Sequence, residues 1–155
     1  MEGETTLPVA ENPKKIADDF LSYLASETDD ECEDLYAFAL DALTFANKVQ
    51  IWHWTCGSGF HHTHFEAIYD AIRDFADKLA ETAMSMSHEF KLQSKSYSIT
   101  NEKYELAAAL LKLQEFRNKL EQYKKQYSSK ISLDNLFADI IETLDRELGL
   151  IKNFS

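Results

Sequence analysis

The chain has 155 residues, 45% of them hydrophobic and 28% charged, which suits one domain with a single core and argues against a disordered tail or a two-domain enzyme. Only 4 Gly and 2 Pro leave too few turn formers for a many-stranded sandwich or barrel, so an all-α fold is expected. The balance of 16 Lys+Arg against 27 Asp+Glu gives a formal charge of −11, which repels a phosphate backbone and removes nucleic acid as the default partner.

Residues 1–12 are polar and aperiodic and read as a flexible leader. They lack the basic and apolar regions of a signal peptide, and no run of about 18 apolar residues occurs anywhere, so a soluble, cytoplasmic protein without a membrane partner is expected. A single domain is expected over 13–155. It opens with a short accessory helix over 13–26, with Asn12 as N-cap, Pro13 in the first turn, and Ile16, Phe20, Leu21 and Leu24 at helical spacing. Thr28-Asp29-Asp30-Glu31 has the pattern of a capping box and predicts the start of the main bundle, 28–155. Leu35, Phe38, Ala39, Ala42, Phe45, Ala46, Val49 and His53 then step by three and four up to a stop near Cys56, before Gly57-Ser58-Gly59.

A second helix of about seven turns is predicted from Phe60 or His61 through Phe65, Ile68, Ile72, Phe75, Ala76, Leu79, Ala83 and Met86. Residues 87–99 are polar and read as a connection that can span up to ~40 Å, enough to cross the length of a bundle and set the two middle helices parallel. Thr100 is expected to cap a third helix carrying Tyr104, Ala107, Ala108, Leu111, Leu120 and Tyr123, ending at Ser128-Ser129. Ser132 or Asp134 opens the fourth, with Leu136, Phe137, Ile140, Ile141, Leu144, Leu148 and Ile151 on its apolar face. Cys32 and Cys56 do not have the spacing of a zinc site or a disulfide framework and read as reduced thiols.

The chemistry concentrates around the first turn. Four of the five histidines lie between positions 53 and 64, and only His88 lies elsewhere. His62 and Glu66 are four apart, as are Asp77 and Glu81, so each pair occupies one helix face on adjacent turns. Imidazole with carboxylate is a ligand set for iron or zinc. From Glu66 to Asp77 the helix turns to within ~20° of the same face but rises ~16 Å. The pairs share a stripe and cannot share an ion within one chain, because metal–ligand bonds are near 2 Å. A second copy of the helix, antiparallel across a two-fold axis, would bring them together.

His53-Trp54, a glycine turn, His62-x3-Glu66 and Asp77-x-x-Ala80-Glu81 together resemble the signature of the Dps family, the mini-ferritins of starved cells. The resemblance covers residues 48–82 closely and 29–155 loosely. It implies a ferritin-like four-helix bundle with a long middle crossover and a hollow dodecamer built from two-fold dimers. It also implies a ferroxidase-type activity that oxidises Fe(II) with peroxide or oxygen and stores the product. The ligands implied are His53, His62 and Glu66 from one chain and Asp77 and Glu81 from its neighbour. Trp54 takes the family's tryptophan position near the site, with iron as the metal and zinc as a possible substitute. The Lys-rich tail that some members use on DNA has no counterpart before Lys48 beyond Lys14 and Lys15.

Several readings stay open at this level. His53 is either a ligand or a hydrogen-bonded core histidine, and His61 or His64 can stand in for His62. Asp70, Arg73 and Asp74 read as a solvated or interfacial charged face, and Trp52, Tyr104, Tyr123 and Tyr127 as packing residues. The alternative to an iron protein is a ferritin-like bundle without metal chemistry, acting as a structural or interaction protein.

Overall fold

A computed structural model describes residues 12–87, 89–92 and 94–154, with 22–28 described by their backbone alone; the leader expected over 1–12 falls outside these residues except for Asn12. The described residues contain helices and no strand: α1 (Pro13–Thr55), α2 (Gly59–Met86), α3 (Leu106–Gln126) and α4 (Ile131–Phe154). The all-α expectation holds. None of these helices is long and apolar enough to cross a membrane.

Local chemistry accounts for most helix ends. Asn12 caps α1, its side chain accepting from the Lys14 N–H at 3.1 Å, with Pro13 at the first helical position, where a missing N–H costs nothing. Ser58 caps α2 by accepting from the His61 N–H at 3.3 Å. Between α1 and α2, Gly57 takes φ 67, a left-handed conformation that side chains with a Cβ resist.

Two boundaries differ from expectation. The accessory helix over 13–26 and the main helix expected from Thr28 are one uninterrupted α1. A capping box favours a helix start but does not break a helix already running, and neither Gly nor Pro occurs after Pro13 until Gly57. The third helix begins at Leu106 and not at Thr100, with Glu105 extended at φ −142, ψ 124. Glu102 is drawn to Lys48 of α1 at 3.4 Å and to Lys112 at 3.1 Å, which holds this stretch across the helices. The face of α3 also differs: Ala107, Ala108 and Leu111 are exposed, and Ala109, Leu113, Phe116 and Leu120 are buried. The run Leu106 to Leu111 is apolar all round, so period alone leaves its phase free, and Phe116 with Leu120 fixes it.

Helix directions follow from the side chains that meet. Asp29 accepts from Ser87 at 2.8 Å, Asn47 from Arg73 at 3.0 Å, and His53 stacks on His62, so α1 and α2 are antiparallel. Tyr123 reaches Asp34 at 3.2 Å and Phe116 stacks on Phe45 at 4.7 Å, so α3 is also antiparallel to α1. Lys124 with Asp134 and Arg117 with Asp145, each at 2.8 Å, pair α3 antiparallel to α4. α2 and α3 therefore run the same way, as the long connection between them allows.

The core is a single cluster to which every helix contributes a ring. Phe38 of α1 stacks on Tyr123 of α3 at 4.2 Å and lies 6.2 Å from Phe75 of α2 and 6.3 Å from Phe137 of α4. Each buried phenylalanine removes roughly 1.5–3 kcal/mol of apolar surface energy from water, and the cluster extends from Leu35 to Ile151. This packing fixes the α1–α2 turn at one end of the molecule.

Candidate metal centre

His53 lies in the last turn of α1, His62 in the first turn of α2, and Glu66 one turn further on. The α1 stripe that buries Val49 carries His53 inward, to 8% exposure, while His62 and Glu66 face solvent. One ligand atom from each lies within 4.8 Å of the others, a grouping that can hold a metal ion. Of the five residues expected to bind metal, these three come together. Asp77 and Glu81 are exposed on α2, outside that grouping, and Asp77 lies with Arg73 and Ala80 along a hollow between α1 and α2.

The two imidazoles are held by a reciprocal pair of hydrogen bonds. His53 Nδ1 donates to the His62 carbonyl at 2.8 Å, and His62 Nδ1 donates to the His53 carbonyl at 2.9 Å. A carbonyl only accepts, so each neutral ring carries its proton on Nδ1 and keeps the Nε2 lone pair free. The rings stack with centroids 3.6 Å apart and planes 27° apart. A carbonyl on the far nitrogen is the usual partner that orients a metal-binding histidine. With Glu66 they form two imidazoles and one carboxylate on one side of an open position, a donor set that suits Fe(II) or Zn(II).

A second layer supports this arrangement. Tyr69 is buried edge-on against the His53 ring, with centroids 5.3 Å apart, and its phenol is pushed up first by burial and then by Asp70 and Glu66. The Arg73 guanidinium covers the Tyr69 ring at 4.9 Å and donates to Asn47 at 3.0 Å and to Gln50 at 2.5 Å. Arg73 thus braces α2 against α1, the interfacial form of the charged face expected there. Asp74 pairs with Lys78 at 2.6 Å, and Asp70 is exposed.

The neighbouring histidines have other partners. His61 Nδ1 lies 3.4 Å from the Tyr104 hydroxyl, and His64 Nδ1 meets Glu147 of α4 at 2.5 Å. Neither joins the cluster. Cys32 and Cys56 are free thiols; Cys56 Sγ donates to the His53 carbonyl at 3.6 Å and to the Ser58 carbonyl at 3.5 Å. Trp54 is 66% exposed and Trp52 is in the core.

Sequence spacing found His62 and Glu66 but missed the carbonyl lock and the buried Glu147. The lock joins main-chain oxygens, which leave no residue signature. Glu147 did leave one, an acidic residue next to Leu148 on the apolar stripe of α4. The chain matches no protein-family model, no curated protein and no solved structure.

Proposed function

We propose that the chain is a Dps-like mini-ferritin that binds Fe(II) between two copies, oxidises it and sequesters the ferric product. The observation that carries this reading is the His53–His62–Glu66 cluster, each imidazole held at Nδ1 by the other residue's carbonyl, at the positions that the resemblance assigns to ligands. The helix directions fit a ferritin-like bundle with the crossover between α2 and α3. Fe(II) enters as substrate. His53, His62 and Glu66 of one copy would supply its first three donors, and Asp77 and Glu81 of the other copy would close the site and balance the added charge when peroxide or oxygen takes an electron from each iron. Zinc, which has no redox step, competes for the same donors. The assembly is a homo-oligomer of two-fold dimers in the cytoplasm, up to a hollow dodecamer with a carboxylate-lined interior.

Anaerobic Fe(II) titration followed by peroxide tests the reading, with the ferric absorbance as readout. Wild-type protein is expected to oxidise Fe(II), and His62→Ala and Asp77→Ala are each expected to abolish oxidation. A mixed dimer of the two variants restores one of its two sites, so co-expression recovers about one quarter of wild-type activity with random pairing. Absence of iron from protein purified without chelator, with no ferric signal after titration, favours the alternative of a structural or interaction protein. Oxidation by wild type without recovery in verified mixed dimers leaves an iron protein whose site is not shared.

A further inference from the structure

Positive charge is gathered on one helix of this acidic chain. α3 carries five basic side chains against two acidic ones, whereas α2 and α4 each carry five acidic against two basic. Where α3 faces α1, carboxylates are shared. Lys48 and Lys112 reach the same Glu102 oxygen at 3.4 and 3.1 Å, and Lys119 and Lys95 share Asp41 at 3.5 and 3.8 Å. Four ammonium groups thus divide two carboxylates. Lys48 and Lys112 also touch one another; that contact first, and burial second, holds the Lys48 amine below its ordinary value.

Lys48, Lys112 and Lys119 also rim a groove with an apolar floor. A hollow of about 370 Å³ is lined by Phe45, Phe116, Lys48, Lys112, Lys119 and Glu115. It shares Phe45 and Lys48 with a second hollow of about 280 Å³ beside Ile99 and Thr100 of the connection. The Phe45 and Phe116 rings stack at 4.7 Å to form the floor. A bare inorganic anion would meet the lysines and leave the rings wet, and a neutral apolar molecule would cover the rings and leave one carboxylate divided between Lys48 and Lys112. An amphiphilic anion satisfies both surfaces.

We propose that the groove between α1 and α3 is a binding site for a small organic anion, its carboxylate, sulfonate or phosphate head on Lys48 and Lys112 and its apolar or aromatic body on Phe45 and Phe116. None of these residues belongs to the histidine cluster, and the site stands without the iron reading. Glu102 occupies the head position when the groove is empty, so head and Glu102 compete for the two ammonium groups.

The test uses the full chain and anilinonaphthalene sulfonate, an aromatic anion that fluoresces when it leaves water. Lys48→Gln with Lys112→Gln is expected to weaken its binding at least about tenfold by removing both charge-assisted contacts. Glu102→Gln is expected to tighten binding severalfold by releasing both lysines. If the lysines only pin the connection, Glu102→Gln leaves binding unchanged or weaker, and either result overturns the proposal, as does unaltered binding in the double variant. Where circular dichroism shows that the double variant has lost helix, Lys112→Gln alone carries the same test, because its side chain stands at the groove rim and outside the core. Displacement by octanoate supports an aliphatic body and displacement by benzoate an aromatic one. Displacement by neither, or by inorganic phosphate as effectively as by both, overturns the assignment.

Discussion

Glu147 is 7% exposed, and α4 can bury this carboxylate only because His64 of α2 reaches one oxygen at 2.5 Å and Arg146 the other at 3.3 Å. His64→Ala removes the partner from the opposite helix. It is expected to destabilise the fold by about 3 kcal/mol, the cost of leaving a buried charge half paired, read as a lower urea midpoint. Three core tyrosines give a second expectation at this scale. Burial first pushes the phenols of Tyr104 and Tyr123 up to about 12 and raises Tyr127 further, with Asp34 adding to the rise in the latter two. In the unfolded chain each ionises near 10. The folded state binds these protons more tightly, so the stability they contribute is complete below pH 10 and is lost as pH rises from about 10 through 12. Tyrosinate absorbance is expected to show these three phenols ionising only as the protein unfolds.

Among the elements, the α1–α2 turn has the most specific geometry. Gly57 at φ 67 accepts no Cβ without strain, so Gly57→Ala is expected to cost about 1–2 kcal/mol, and Ser58→Ala about 1 kcal/mol through the lost cap. Both are measured by thermal unfolding, and on the proposed iron reading Gly57→Ala also weakens Fe(II) binding, because the turn sets the spacing of His53 and His62. The same elements show what the sequence could and could not reveal. Wherever apolar residues stood on one face only, as in α1 from Leu35 and in α2 and α4, spacing located both helix and core. It failed where apolar residues ran all round, at Leu106 to Leu111, and where a tertiary contact decided a boundary, as Glu102 does before α3. At the candidate centre, His62 and Glu66 were legible because helical spacing is a local property. The position of His53 against them depends on the turn, and its orientation depends on two carbonyls. The place proposed for Asp77 and Glu81 in a shared site would depend on a second copy, which no spacing within one chain can supply.

At the scale of the molecule, the charge of −11 is unevenly spread, with α2 and α4 acidic and α3 basic. The groove between α1 and α3 holds too few uncompensated cations to release counterions along a duplex. No electrophoretic shift of duplex DNA is therefore expected at moderate salt; a shift that fades steeply as salt rises would contradict this. If the iron reading is right, light scattering at tens of micromolar reports a dimer or a larger assembly, and a monomer excludes the shared site.

α1 is 43 residues long and α2 is 28, about 64 and 42 Å. The end of α2 is tied to Asp29 through Ser87 and the α3–α4 turn to Glu31 through Lys130, so among the described residues the helix before Asp29 has no other helix beside it, and residues 13–21 are exposed. Small-angle scattering from a lone chain should accordingly show a distance distribution with a thin tail past the bundle's own length. Deleting residues 1–28 should erase about 24 Å of that tail and leave the melting temperature nearly where it was. The molecule is then a compact body with a handle, and the handle can be shortened without loosening the body.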